Sequence, residues 1–355
     1  MKNSSSVNLP IGIALLPIIF LVLLLSINVF IYGDDSLNGT NQFILILSGL
    51  FGASLGFIYK VSYKKILKSI SNSVKSVTGA LLILLFVGAL AGTWMISGVI
   101  PSMVYYGLKI LDPNIFLPAC VIICSIISVA TGSSWTTSAT VGIALVGIGK
   151  ALGIPPGMVG GAVIAGAYFG DKLSPLSDTT NLAAAVTKVD LFKHIKYLTY
   201  TTIPSISITL IVFIILGFLQ VSNGSTDNSY LLTAITEKFN ISLVLFIVPI
   251  LVLIMIIKKT PPLIALVIGT LVGALFSIIF QPQIIAELSA DSNSKLINTY
   301  VVIMDTITGP VSIETNNAML NDLFSTGGML GMLNTIFLVI GTMVFGGVME
   351  AIGAL

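Results

Sequence analysis

Long stretches of this chain carry no charged side chain: Ile11 to Gly33, Val77 to Leu108, Pro113 to Gly149, Ala151 to Gly170, Tyr197 to Thr226, Phe239 to Ile257, Thr260 to Ala286 and Leu323 to Met349. About 20 apolar residues cross a bilayer as a helix, so these runs predict roughly nine or ten hydrophobic segments, and the longer runs hold two segments or a re-entrant hairpin. The first run is longer than the apolar region of a signal peptide and no A-x-A-like site follows Ser26, so it reads as the first membrane helix.

Composition sharpens the picture. Of 355 residues 55% are hydrophobic and 8% charged, with a mean hydropathy of +1.07. The class is an all-α polytopic membrane protein with no water-soluble domain and no enzyme signature. A net charge of +2 is too small to imply nucleic acid. Cys120 and Cys124 lie one helical turn apart in an apolar segment and read as small buried side chains without redox or metal chemistry. All the basic residues are lysines. Lys60, Lys64, Lys65, Lys68 and Lys75 gather in the linker from Lys60 to Thr78, while Asp34 and Asp35 occupy the loop before it. By the positive-inside rule that linker, Lys188 to Lys196 and the amino terminus (1–10) are cytoplasmic.

A repeat is legible. Pro17 in ALLPIIFLVLL matches Pro249 in FIVPILVLIMI; Gly49 and Ala53 match Gly269 and Gly273; Gly88 matches Gly341. Where the first copy has its lysine linker, the second has Gln281 to Gly331, with Glu287, Asp291, Asp305, Glu314 and Asp322 against Lys295 alone. Scarcity of lysine fits an external loop, so the second copy is expected to be inverted, as in many secondary transporters. The expected organisation is a first repeat over 11–221 with an ion-site segment at 155–187, an external linker at 222–240, and an incomplete second repeat over 241–355. By the same symmetry about 120 residues would follow Leu355, for a natural length near 470.

The chemistry concentrates in GDKLSPLSDTTN, Gly170 to Asn181. Charges at bilayer depth cost at least about 2.5 kcal/mol, so they pair or line an ion pathway. The glycines and alanines of Gly157 to Gly170 permit close helix contact, and fourteen residues reach only about 21 Å against a core of about 30 Å. Asp171 is therefore expected just past a short helix, inside the membrane. Pro175 disfavours helix at Ser174, so the chain should unwind there and resume helix around Thr179. Freed carbonyls, with Asp171, Asp178, Ser174, Ser177, Thr179 and Asn181, offer the oxygen ligands that a hard cation such as sodium prefers. Burial and a neighbouring carboxylate both favour a protonated acid, so protons compete with sodium. Lys172 either stabilises ionised aspartate or gives up its own proton when sodium enters. The alternative is a membrane-edge ion pair of Asp171 with Lys172, with Asp178 capping the next helix. Intramembrane aspartyl proteolysis also uses two aspartates, but normally from separate helices.

A second polar island, TGSSWTTSAT (Thr131 to Thr140), interrupts the run from Pro113 to Gly149. A helix followed by a re-entrant turn would let Ser133, Ser134, Thr136 and Thr137 complete an ion cage; otherwise these hydroxyls bond back to helix carbonyls or join helices. Trp135 reads as packing. Glu350, at the end of the last uncharged run, is either a further site residue or a surface residue. His194 reads as interfacial.

The motifs GTWMISGVIPSMVYYGL (Gly92 to Leu108), TGSSWTTSATVG (Thr131 to Gly142) and AGAYFGDKLSPLSDTTNLAA (Ala165 to Ala184) resemble the NhaC family of bacterial sodium/proton antiporters. That resemblance implies an inverted-repeat secondary transporter of the bacterial cytoplasmic membrane that exchanges Na+ for H+; the residues themselves point to Asp171 and Asp178 as the groups that hold Na+. The ions are cargo, no cofactor is implied, and the partners are the lipid bilayer and, as an expected assembly, a second copy in a homodimer. A similar branch exchanges malate and protons for sodium and lactate, and these motifs do not separate the two. An inactive membrane remnant or non-transporting subunit is the remaining alternative.

Overall fold

Helices dominate the computed structural model, which describes residues 10–110, 112–175, 177, 179–180, 183–184, 187, 189–221, 229–258, 260–289, 294–315 and 318–354. Among these residues six helices are long and apolar enough to cross a membrane: Ile11–Tyr32, Thr40–Ile58, Thr78–Ile96, Leu191–Leu219, Pro262–Phe280 and Leu333–Ile352. A bent pair, Tyr230–Lys238 with Leu243–Ile256 at 83°, makes a seventh if it is one span. The other apolar runs form shorter or interrupted helices. The protein is a multi-pass, all-α membrane protein.

The chain divides into two compact units, Met1–Leu85 with Leu330–Leu355, and Phe86–Met329. The first holds α1 (Ile11–Tyr32), α2 (Thr40–Ile58), α3 (Tyr63–Ser76) and the final helix α18 (Leu333–Ile352). The lysine stretch expected as a linker is instead helical. Ile66 and Ile70 lie on one face of α3 four residues apart, Ile66 is buried, and Ile70 lies beneath Gly347 of α18. Gly49, Gly52 and Gly56 of α2 meet Phe345, Val348 and Ile352 of α18, and Gly52 also meets Pro17 of α1.

The second unit takes α4 (Thr78–Ile96) from Phe86 onward, α5 (Val99–Ile110), α6 (Pro113–Thr131), α7 (Ser134–Thr137), a π-helical turn (Ser138–Gly142) into α8 (Ile143–Ala151), α9 (Pro156–Leu173) and α10 (Leu191–Val221). Then come α11 (Ser229–Lys238), within the stretch expected as a linker, α12 (Ile247–Ile257), α13 (Pro262–Phe280), α14 (Pro282–Leu288) and α15 (Lys295–Thr308). The bend between α11 and α12 is satisfied by one side chain: Gln281 donates to the Asn240 carbonyl at 2.9 Å and accepts from the Asn240 N–H at 3.0 Å. The remainder is a short hairpin, β1 (Val311–Ser312) against β2 (Ser325–Thr326), enclosing α16 (Ala318–Leu323), followed by α17 (Gly328–Gly331). The acidic stretch after Gln281 is thus a set of short folded elements.

The glycines singled out in the two helices α2 and α13 both serve close helix packing. Gly269 and Gly273 of α13 rest on Leu90, Thr93 and Trp94 of α4, and Trp94 Nε1 donates to the Gly269 carbonyl at 3.3 Å. In the first unit the glycines of α2 rest on α18.

Candidate functional site

The site is organised by the close packing of α6 on α9. A Cβ on Gly166 would run into the carbonyl of Val121, and one on Gly170 into that of Ser125. Only glycine permits this approach. It brings backbone within reach of side chain: Ser128 Oγ on α6 donates to the Ala167 carbonyl on α9 at 2.5 Å.

Both helices end at the same place. α6 stops at Thr131 because Gly132 takes the left-handed conformation (φ 69°), its N–H returning to the Ser128 carbonyl at 2.8 Å. α9 stops at Leu173, where Ser174 is extended (φ −81°, ψ 129°) ahead of Pro175. The break falls where the sequence placed it, but the helix is longer than expected. It runs 18 residues, so Asp171 and Lys172 occupy its last turn rather than the loop beyond. Ser174 Oγ donates to the Val129 carbonyl at 2.7 Å, tying the two ends together. Two helix C-termini, each carrying partial negative charge, therefore converge with a carboxylate between them and the next helix, a setting that favours a cation.

Asp171 is half-buried. Its Oδ2 accepts from Ser134 Oγ, 2.9 Å away at the start of α7. Around it Ser134 and Ser174, Ser177 and Thr137 are buried. Ser177 Oγ and Thr179 Oγ1 lie 3.0 Å apart, and residues 179–180 are again helical, as the sequence indicated. Thr137 Oγ1 donates back to the Ser133 carbonyl at 2.9 Å, and the π-helical turn that follows is a distortion often found at functional sites.

The structure brings together Asp171, Ser133, Ser134, Thr137, Ser174, Ser177 and Thr179. Asp178, Asn181 and the side chain of Thr136 lie outside the described residues. Glu350 belongs to the other unit, where its Oε2 accepts from Ser69 Oγ at 2.9 Å. Lys172 forms no ion pair with Asp171; its side chain faces α10 instead. Two residues were missed: Ser128, one turn before the left-handed glycine, and Thr180, whose Oγ1 reaches the Asp171 and Lys172 carbonyls at 3.4 and 3.2 Å. The hydroxyl just after a broken helix was the available signal for Thr180.

The profile of the Na+/H+ antiporter family matches residues 166–355. The chain is 40% identical to a malate-2H(+)/Na(+)-lactate antiporter of Bacillus subtilis (95% of this chain, 68% of the relative) and 36% identical to the Na(+)/H(+) antiporter NhaC of Alkalihalophilus pseudofirmus (88% and 64%). It is 33% identical to the arginine/ornithine antiporter ArcD of Halobacterium salinarum (97% and 68%). The chain thus spans about two-thirds of the length of these relatives. No solved structure matches it.

Proposed function

Because the chain belongs to the Na+/H+ antiporter family, we propose that it exchanges Na+ for H+ across the bacterial cytoplasmic membrane, with Asp171 taking up the two ions alternately. The observation that carries this reading is the Asp171 carboxylate at the joined C-termini of α6 and α9, held by Ser134 Oγ at 2.9 Å. In the sodium-loaded form the carboxylate, the helix-end carbonyls and the hydroxyls of Ser134, Ser174 and Ser177 replace water around the ion. When the site turns to the other side, sodium leaves and a proton neutralises the carboxylate, so the empty carrier crosses without a bare charge. Asp178 and Asn181, within the same broken segment, complete the ligand set. The exchange calls for no resident cofactor, and α3 with its lysines faces the cytoplasm.

The test is Na+-dependent collapse of a pH gradient in everted vesicles. Asp171→Asn should lose it, with protein present at wild-type level; full activity in that variant ends the proposal. A second reading adds organic acid to the cycle, supported by the activity in the name of the 40% identical Bacillus relative. Sodium efflux that requires an inward malate or outward lactate gradient would favour it over simple exchange.

A further inference from the structure

Asp171 and Lys172 are neighbours in sequence, and on a helix of 3.6 residues per turn they point about 100° apart. Asp171 turns toward α7. Lys172 lines a separate groove of about 350 Å³ between α9 and α10, together with Tyr168, Thr201, Thr202, Ser205 and Thr209. We propose that this groove binds a small oxyanion, a carboxylate or phosphate that carries an O–H or N–H donor beside it.

Three observations carry this. First, Lys172 is exposed to the groove and makes no ion pair among the described residues, so its ammonium is open to an anionic partner there. Second, α10 is otherwise a peripheral apolar helix, with 6% of its span buried, yet Thr201, Ser205 and Thr209 recur every four residues along the face turned to Lys172, with Thr202 beside them. Third, the donors and acceptors are divided. Thr201 and Thr202 already donate to the Leu198 carbonyl at 3.0 and 2.7 Å, and Thr209 to the Ser205 carbonyl at 2.9 Å, so their oxygens present lone pairs to the groove. Lys172 supplies N–H donors, and Ser205 Oγ has no hydrogen-bond partner among the described residues. Lys172 and Ser205 would hold the oxyanion, while the threonine oxygens accept from the adjacent donor of the ligand. The sodium site does not enter this argument, so the proposal is independent of Na+/H+ exchange and its failure is distinguishable from failure of that reading.

The test is binding, read by thermal unfolding of the full chain in neutral detergent and neutral lipid. L-lactate, L-malate and phosphatidylglycerol are titrated separately. At least one should raise the unfolding temperature saturably, with Lys172→Gln weakening its apparent affinity at least about tenfold, Ser205→Ala weakening it about threefold, and Lys172→Arg retaining it. Saturation by lactate or malate identifies a free organic acid as ligand; saturation by phosphatidylglycerol alone identifies a lipid headgroup. If no probe binds, or if Lys172→Gln and Ser205→Ala both bind as the wild type does, the proposal is overturned. Should Lys172→Gln fail to fold, Ser205→Ala decides alone.

Discussion

Gly170→Ala is the substitution whose cost the structure defines most sharply. A methyl group there would sit 2.6 Å from Ser128 Cβ and 2.7 Å from Val129 N, and would also strike the Ser125 carbonyl. Two of those atoms are backbone and cannot rotate away. To restore contact near 3.4 Å with the closest of these atoms, the Ser125 carbonyl, α6 and α9 must part by roughly 1.0 Å, and overpacking of this kind costs about 1–3 kcal/mol. The separation also stretches two bonds across the helix pair, Ser128 to Ala167 at 2.5 Å and Ser174 to Val129 at 2.7 Å, each worth about 0.6 kcal/mol in a membrane protein. The expected loss is about 2–4 kcal/mol in all, and because Ser174 anchors the broken end, Na+-dependent exchange should fall with it. Gly160→Ala on the same helix is the internal control. Its added methyl meets nothing within 4 Å, and removing a helix-interior glycine gains about 0.8–1.0 kcal/mol. Unfolding in detergent, followed by far-UV circular dichroism against temperature, separates the two. If Gly170→Ala melts no earlier than Gly160→Ala, the tight α6–α9 contact is wrong, and with it the joined helix ends on which the proposed cation site rests.

Three further outcomes are expected. Ser134→Ala removes a donor to a carboxylate, worth about 1.5–3 kcal/mol, and should raise the Na+ concentration for half-maximal exchange at least about tenfold, measured in proteoliposomes at fixed pH; an unchanged value excludes a role for that bond. Gly132→Ala forces a side chain into the left-handed region at φ 69°, costing about 1–2 kcal/mol, and should lower the unfolding temperature while leaving far-UV helicity intact. Cys120 and Cys124 are both 0% exposed, so neither should react with maleimide until the protein is denatured; labelling in the native state would contradict the packing of α6.

The membrane class and the broken helix were legible because both follow from local chemistry. Apolar run length reports spanning segments, and Pro175 after Ser174 leaves few backbone options, so the end of α9 could be read within a few residues. What escaped was set by tertiary contact. The extent of α9 through Lys172 was hidden because a charged pair in an apolar run looks like the start of a loop, whereas Thr180 bonding to the carbonyls of 171 and 172 supports one more helical turn. The helical state of 63–76 was masked by four lysines, although Ile66 and Ile70 already marked a face. The hydroxyl stripe on α10 was present in sequence at 201, 205 and 209, but only the approach of Lys172 gives it meaning.

The same geometry explains why the acid and the base can coexist in adjacent positions. Had Asp171 and Lys172 paired, each would have neutralised the other, and neither could take a new partner without first breaking that pair. Directed to different faces of α9, they remain separately available. Asp171 is held by a neutral hydroxyl, which orients a carboxylate without cancelling its charge, and faces two helix ends that favour cations. Lys172 faces hydroxyls that leave its charge equally uncancelled. A transporter must bind its cargo and release it within one cycle, and sites lined by neutral oxygens with a single formal charge permit both. Reintroducing the cancellation tests this directly. Ser134→Lys would place an ammonium within reach of Asp171 Oδ2 and should lock the carboxylate in a permanent pair, abolishing Na+-dependent proton movement in vesicles. Exchange that survives that substitution would show that Asp171 need not be vacant to take up its ion.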